Sequence, residues 1–206
     1  MNANKAAGQQ QDALKNSLEV LRDGGVLLTP TDTIWGLSCD ATNEAAVKKL
    51  IRLKQRPSEK SFIVLIDADY KLEQYLYEVP AVAYDLIEFA ENPLTIIFSG
   101  ARRLAPNVIN QDGSVGIRVV RQPGFCQKLL ERFRKPIVST SANLSGQSAP
   151  SGPEEVTPEL LNGVDYIVPV EAASAGQVNN TKNSRNAKAS TIIRLGPGGE
   201  YTLIRK

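Results

Sequence analysis

The sequence predicts a single α/β domain built on a mixed β-sheet. Helical patterns and short apolar strands alternate along all 206 residues, and no linker divides the chain into two hydrophobic halves. An apolar content of 42% and a charged content of 22% are ordinary for a globular protein, and this length can bury a sizeable core. We therefore expect one domain over residues 1–206, ordered from about residue 14. Residues 171–189, rich in Ala, Asn, Ser and Lys, are expected to form a mobile loop.

The first half of the chain opens with an amphipathic helix. Leu14, Leu18 and Leu21 lie on one helical face, and Gly24 ends the helix because glycine adopts a left-handed cap without steric cost. Asn43 is a good N-cap for a second helix that runs to residue 53. The other elements predicted in this half are strands at 26–29, 62–66 and 94–98, a polar loop at 31–33, and helices around 72–76 and 80–90.

The second half contains an alternating strand at 114–119, which places Ser114, Gly116 and Arg118 on one face. The remaining predictions are loops at 99–113 and 144–153, helices at 123–133 and 154–161, strands at 137–141, 166–168, 190–195 and 201–204, and a hairpin turn at 196–199.

The residue types present exclude several classes of site. The chain has no histidine, so it has neither a histidine-based catalytic triad nor a histidine-containing zinc site. Cys39 and Cys126 are too few for a cysteine-rich metal site or a secreted disulfide framework, and we expect both to be buried filler. We expect no protein-held metal, no membrane span and no signal peptide, and hence a cytoplasmic location.

Positive charge is concentrated in two stretches although the net charge is only +2. Residues 182–206 carry six cations against one carboxylate, and residues 118–135 form a second basic island. Local basic surfaces on a nearly neutral protein favour a discrete anionic ligand over a long nucleic acid.

A basic stretch separates the second predicted helix from the strand that follows it. Lys54, Arg56 and Lys60 lie there, and Pro57 disfavours a helical conformation at Arg56. Lysine and arginine both suit phosphate or carboxylate groups. A solvated basic loop with no ligand is the alternative.

A polar segment follows the strand at 137–141. On an extended chain Ser139, Ser141 and Asn143 point the same way, which gives two hydroxyls and a carboxamide on one face. The alternative is a Ser/Thr turn followed by an asparagine helix cap.

Neither the G-x-x-x-x-G-K-[ST] loop nor the G-x-G-x-x-G motif is present, so a nucleotide would be held by side-chain cations and hydroxyls. Any Mg²⁺ would arrive on the triphosphate.

Several motifs occur together in one order along the chain. They are Pro-Thr-Asp-Thr-Ile-Trp-Gly-Leu at 30–37, Lys-x-Arg-Pro at 54–57 with Lys60, Ser-Val-Gly-Ile-Arg at 114–118, Ser-Thr-Ser-Ala-Asn-Leu-Ser-Gly at 139–146, and Ser-Thr-Ile-Ile at 190–193. Together they resemble the threonylcarbamoyl-AMP synthases, the YrdC-like domain family. The chain resembles the short, single-domain form of this family.

The resemblance implies a strongly twisted mixed sheet with flanking helices and a concave, positively charged cleft. It also implies a reaction in which L-threonine, bicarbonate or CO2, and ATP give L-threonylcarbamoyladenylate and pyrophosphate. The product serves the t6A modification of tRNA at position 37, which implies transfer to a tRNA-threonylcarbamoyl transferase complex and a possible tRNA contact.

We expect the ATP site to consist of cations and short polar side chains, namely Lys54, Arg56, Lys60, Ser141, Asn143 and Arg194. The cations would neutralise the triphosphate, with Lys54 and Arg56 as the catalytic pair. Alanine at either position should abolish adenylate formation while the fold survives.

We expect the threonine site to be formed by Thr33, Arg118, Ser139 and Ser190. Arg118 would pair with the threonine carboxylate through its planar fork. The three hydroxyl residues would hold the amino and hydroxyl groups of the substrate.

Some stretches depart from the family pattern. Trp35 replaces the usual tyrosine, Glu91 and Asn92 replace part of a Trp-Pro-Gly block, and the polar segment before Ser190 is long, which affects the lid over threonine. Two other functions stay open. One is a non-catalytic RNA- or tRNA-binding module of the same fold. The other is an adenylating domain like that of hydrogenase maturation proteins, which occurs in a much longer chain.

Overall fold

A nine-stranded mixed sheet runs through the part of the chain that the computed structural model describes, residues 3–55, 61–144, 150, 152–174 and 189–206. The strands are β1 (Leu27–Pro30), β2 (Trp35–Asp40), β3 (Ile63–Ile66), β4 (Leu94–Phe98), β5 (Val115–Val119), β6 (Ile137–Ser141), β7 (Tyr166–Ile167), β8 (Thr191–Leu195) and β9 (Tyr201–Arg205). The helices are α1 (Ala3–Arg22), α2 (Glu44–Leu53), α3 (Leu72–Tyr75), α4 (Val82–Glu88), α5 (Phe125–Phe133), α6 (Pro158–Gly163) and α7 (Val170–Ser174). Short 3-10 turns occur at Asp69–Lys71, Pro106–Val108 and Pro153–Glu155.

The strand order across the sheet is β7-β1-β2-β6-β3-β5-β4-β8-β9. The pairs β1–β7, β3–β5 and β4–β8 are parallel, and the others are antiparallel. This mixed, twisted sheet with flanking helices confirms the predicted fold class.

Two hydrophobic cores cover the two faces of the sheet. One contains Leu37, Val64 and Val138 together with the apolar sides of α2, α3 and α4. The other contains Leu65 and Ile137 together with α1, α5 and α7. Each core buries alternate residues of the same strands, as the period of two requires.

The predicted start of α2 is confirmed in detail. The side-chain Oδ1 of Asn43 accepts hydrogen bonds from the backbone N–H groups of Ala45, at 3.0 Å, and Ala46, at 3.2 Å. These bonds satisfy two donors that have no partner within the helix.

The strand β2 was not predicted. Its apolar residues Trp35, Leu37 and Cys39 alternate with Gly36 and two polar residues, so the alternation typical of a strand is present but short. The strand lies between β1 and β6, and its polar positions are buried because both neighbours pair with it.

The first helix begins earlier than its leucine stripe. It starts at Ala3. The side chain of Gln10 links α1 to α7 and α5: its Nε2 donates to the carbonyl of Ala172 at 3.1 Å, and its Oε1 accepts from Lys128 at 2.7 Å. Residues 3–13 are mostly good helix formers, so tertiary contacts are enough to extend the helix.

Two predicted elements near the end of the chain differ. The helix predicted at 154–161 is a 3-10 turn followed by α6, because Pro158 starts a new helix at its N1 position. The helix α6 ends at Gly163, two residues beyond the predicted end. Of the loop predicted at 171–189, residues 171–174 belong to α7, and residues 175–188 lie outside the described residues.

Both cysteines are buried, which confirms the prediction that they act as filler. Burial raises the pKa of each thiol. In the described ranges, no helix combines the length and the apolar content that crossing a membrane requires.

Candidate functional site

Strand register places several of the predicted site residues on one face of the sheet. Arg118 of β5 lies opposite Thr95 of β4, and this row of register partners across the strands is called the Arg118 row below. In the adjacent row, Ser139 of β6 lies opposite Ile63 of β3, which lies opposite Gly116 of β5. Register partners point to the same side of a sheet, so Arg118 and Ser139 share a face, called the Arg118 face below.

The Arg118 face is covered at one end and open at the other. Under β3 and β6 it carries Leu65 and Ile137, which α1 and α5 bury. Toward β4 and β8 it carries Ile97 and Arg194, of which Ile97 is half-buried and Arg194 is exposed. Solvent therefore reaches this face at its β8 end, at Arg194.

The most buried charged pair on this face joins Arg118 to Asp32. The Nη2 of Arg118 donates to Oδ1 of Asp32 at 2.8 Å, and the two side chains are 4% and 5% exposed. Asp32 comes from the loop between β1 and β2. Within the described ranges, the Nε of Arg118 is buried and has no hydrogen-bond partner. Arg118 therefore keeps donor capacity that Asp32 does not use.

The thiol of Cys126 in α5 lies close to this ion pair. Burial raises its pKa to about 12; the Asp32 carboxylate adds to the rise, and the Arg118 guanidinium opposes it. The thiol is therefore protonated at neutral pH and is not a nucleophile.

Thr33 lies in the same loop as Asp32, where Thr31 holds it. The hydroxyl of Thr31 donates to the carbonyl of Ile34 at 2.8 Å. Its single proton is then used, so the hydroxyl of Thr33, 2.9 Å away, is the donor in the contact between the two. The oxygen of Thr33 is left as an acceptor, which suits an N–H or ammonium group of a ligand.

Ser190 is held on two sides beside the Arg118 row. Its hydroxyl lies 2.8 Å from the hydroxyl of Thr95, and both residues are buried. Its carbonyl accepts hydrogen bonds from Nε and Nη2 of Arg205, at 3.2 and 2.9 Å. Sequence reasoning counted Arg205 among the basic C-terminal residues but gave it no role.

Lys54 does not lie in a solvated loop. Its side chain is 2% exposed, and its Nζ donates to the carbonyls of Ser141, at 2.5 Å, and Asn143, at 2.7 Å. The solvated-loop interpretation is therefore wrong for Lys54. The lysine ties the end of α2 to the end of β6 and brings three of the residues predicted for ATP together.

The other predicted residues are placed as follows. Ser139 is buried on β6, opposite Ser38 of β2. Arg194 is exposed, and its Nη1 lies 3.1 Å from Oδ2 of Asp112. Arg56 and Lys60 lie outside the described residues.

A surface groove leads away from the ion pair. Asp32 lines a small depression of about 50 Å³, with Arg121 and Asn92 in its wall. A wider and shallower depression of about 500 Å³ adjoins it and includes Asn92 and Phe89. Among the described residues predicted for ATP or threonine, none lines either depression. We place the chemistry at the Asp32 end because Asp32 is the ion-pair partner of Arg118.

In the described ranges, the acidic and sulfur side chains do not converge on one point. Among the described residues, no group of three or more His, Cys, Asp or Glu side chains could hold a metal ion.

Comparison with known proteins gives consistent results. The model of the Sua5/YciO/YrdC family, described as "Telomere recombination", matches residues 19–206. A Vibrio cholerae protein named threonylcarbamoyl-AMP synthase is 35% identical over 187 residues, covering 89% of this chain and 97% of that protein.

Two solved structures share the fold. E. coli YciO superposes with a TM-score of 0.76 at 26% identity, covering 96% of this chain and 89% of YciO. P. abyssi Sua5 complexed with L-threonine superposes with a TM-score of 0.75 at 26% identity; the match covers 88% of this chain and half of that longer one. The resemblance seen in the motifs is confirmed: this chain belongs to the Sua5/YciO/YrdC family.

Proposed function

We propose that this chain is an L-threonylcarbamoyladenylate synthase, a nucleotidyltransferase that uses L-threonine, bicarbonate or CO2, and ATP. The observation that carries the proposal is the buried Arg118, with an unused donor, beside the hydroxyls of Thr95 and Ser190. The family membership and the Vibrio cholerae relative support the same activity, and a family member was solved with L-threonine.

The threonine site is centred on Arg118 in this proposal. The guanidinium has a donor left to bind the substrate carboxylate, since Asp32 accepts from Nη2 and the buried Nε has no partner among the described residues. Thr33 offers an acceptor to the substrate amine. Ser139 and Ser190, both buried, offer hydroxyls to the substrate side chain.

The ATP site is centred on the segment that Lys54 anchors. Ser141 and Asn143 bind phosphate or ribose in this proposal, and their position depends on the two hydrogen bonds from Lys54. Arg56 and Lys60 supply charge to the triphosphate, and Arg194 adds a contact at the open end of the face. Mg²⁺ arrives as part of the nucleotide, held by phosphate oxygens and water.

The chemistry needs positioning and charge compensation more than a covalent nucleophile. Threonine and bicarbonate first give the N-carboxylated amino acid, with loss of water. An oxygen of this carbamate attacks the α-phosphorus of ATP, the bond from that phosphorus to the bridging oxygen breaks, and pyrophosphate leaves with the electron pair. Fixed cations stabilise the charge on the leaving group. Buried Arg118 and Ser190 hold the amino acid for the attack.

The same proposal extends to the fate of the product. Threonylcarbamoyl-AMP would pass to a tRNA-threonylcarbamoyl transferase complex for t6A formation, with a possible direct tRNA contact. A cytoplasmic location fits this role, and the two buried free thiols suit a reducing compartment.

Detection of the product by mass spectrometry tests the proposal. The protein is incubated with ATP, L-threonine and ¹³C-bicarbonate, and the mixture is quenched within seconds. We expect threonylcarbamoyl-AMP carrying one ¹³C. Binding of tRNA without any adenylate product would favour the non-catalytic module instead.

A further inference from the structure

Arg205 is directed toward the candidate threonine site by an irregularity in the sheet. Along the β8–β9 pair, Ile193 lies opposite Leu203, but Ile192 lies opposite Arg205, so Ile204 is an extra residue on β9. Such a bulge changes which side chains face each side of the sheet. Without it, Ile204 would lie opposite Ile192 and Arg205 would point to the other face.

The bulge brings Arg205 into the Arg118 row. Arg118 lies opposite Thr95, Thr95 lies opposite Ile192, and Ile192 lies opposite Arg205. All four residues therefore point to the Arg118 face. The Nε and Nη2 of Arg205 then reach the carbonyl of Ser190, whose hydroxyl contacts Thr95.

The charges around Ser190 leave a positive excess. Arg205 is an exposed residue, but partial burial of its guanidinium lowers its pKa, and the nearby charge of Arg118 lowers it further. In the described part of the chain, the ion pairs of these two arginines involve one carboxylate, that of Asp32. Two cations and one anion beside buried hydroxyls make a site that a single small anion would neutralise.

We propose that Arg205 is a positioning residue for the amino-acid substrate. It fixes the main chain at Ser190, so that the hydroxyls of Ser190 and Thr95 stay beside Arg118. Its charge complements Arg118 in attracting the substrate carboxylate. This inference rests on the proposed function, and it makes threonine binding depend on a strand that no predicted site residue occupies.

The test uses Arg205→Met, which keeps a long unbranched side chain but removes its charge and donors, and Arg205→Lys, which keeps the charge on a single donor nitrogen. Lys206→Met is the matched control, since it removes a neighbouring cation from the same end of the chain. L-threonine affinity is measured by titration calorimetry, KM is measured for L-threonine and for ATP, and the thermal midpoint is recorded for each variant.

We expect Arg205→Met to weaken L-threonine binding about tenfold or more, as for loss of a charged hydrogen bond. The KM for ATP should stay within about twofold, since the anchored ATP segment is elsewhere. Arg205→Lys should recover part of the affinity, and Lys206→Met should match the wild type.

Unchanged L-threonine affinity in Arg205→Met would overturn the inference. So would equal losses for L-threonine and ATP together with a lower thermal midpoint, because that pattern indicates a purely structural role. If Arg205→Met does not fold, wild-type affinity in Arg205→Lys with ATP weakened instead would also overturn it. A wild-type protein that binds no L-threonine would refute the proposed function itself, which is a different result.

Discussion

The guanidinium of Arg118 in β5 and the carboxylate of Asp32 in the loop between β1 and β2 form an ion pair 2.8 Å apart, with both side chains almost fully buried. Removing two charges from water is costly, and their pairing offsets that cost. Asp32 therefore orients the guanidinium of Arg118 before any substrate is present.

Replacing Asp32 should destabilise the fold. Asp32→Asn leaves the buried guanidinium without a counter-charge, and we expect the free energy of unfolding to fall by about 3 kcal/mol. Urea denaturation at neutral pH measures the change. Asp23→Asn, at an exposed position, is the control and should stay within about 0.5 kcal/mol of the wild type. Equal stability of Asp32→Asn and the wild type would show that the pair is not important for the fold.

Arg118→Lys should separate threonine recognition from nucleotide recognition. Lysine keeps the charge but replaces the planar fork by a single nitrogen, which cannot match the geometry of Asp32 and of a substrate carboxylate at the same time. We expect the KM for L-threonine to rise about tenfold or more and the KM for ATP to change little. Steady-state kinetics with each substrate varied in turn would show the difference. A rise confined to ATP would place Arg118 in the nucleotide site instead.

The burial of Lys54 alters the prediction that its loss leaves the fold intact. Its ammonium group holds two carbonyls in the interior, at Ser141 and Asn143. We expect Lys54→Met to lower the free energy of unfolding by about 2–3 kcal/mol and to raise the KM for ATP. Calorimetric melting alongside ATP kinetics measures both effects. Arg56→Ala is the comparison, and it should lower turnover without lowering stability; a stable Lys54→Met would contradict the anchoring role.

Gly36 should not tolerate a side chain. A Cβ there would lie 2.9 Å from the carbonyl oxygen of Thr140 and 3.1 Å from the hydroxyl of Ser139, and the first of these is backbone that cannot easily move. We expect Gly36→Ala to cost about 2 kcal/mol and to lower L-threonine affinity by displacing Ser139. Gly8→Ala, with open space around the added methyl, is the control for chemical denaturation. Wild-type stability of Gly36→Ala would mean that β2 and β6 lie farther apart.

Asp165 should contribute stability only above acidic pH. Burial alone would raise its pKa, but hydrogen bonds from Lys49 and from the N–H of Val26 outweigh burial, and the folded-state pKa lies below the usual value of an aspartate. A lowered pKa gives stability that is present above about pH 4 and is lost as the pH falls through the folded-state value. We expect Asp165→Asn to lose about 1 kcal/mol at pH 7 and almost nothing near pH 2, after allowance for solvent screening. The same loss at both pH values in denaturant titrations would refute the linkage.

The sequence predicted the elements that have a clear pattern or stop signal. The leucine stripe of α1, the Asn43 cap and the alternation in β5 all specify their structure locally, and the structure has them. The strand β2 was missed because its burial comes from two neighbouring strands, and a local pattern does not contain them.

Site residues were predictable where they lie in recognisable motifs. The motifs pointed to Arg118, Ser139 and Ser190. The sheet register places Arg118 and Ser139 in two adjacent rows of one face, and the hydroxyl of Ser190 contacts Thr95, the register partner of Arg118. The partner of Arg118 could not be predicted, since Asp32 is 86 residues away in sequence. Arg205 was missed because its orientation depends on a bulge that the residue pattern of β9 does not reveal.

The measurement that tests the account most directly is pyrophosphate release from ATP, with each component omitted in turn. We predict that release requires both L-threonine and bicarbonate, and that serine and glycine replace L-threonine poorly or not at all. At low L-threonine concentration, Arg118→Lys should lose the release. Release that ignores the amino acid, or no release from folded protein that binds ATP, would contradict the assignment of this site to threonylcarbamoyl-AMP synthesis.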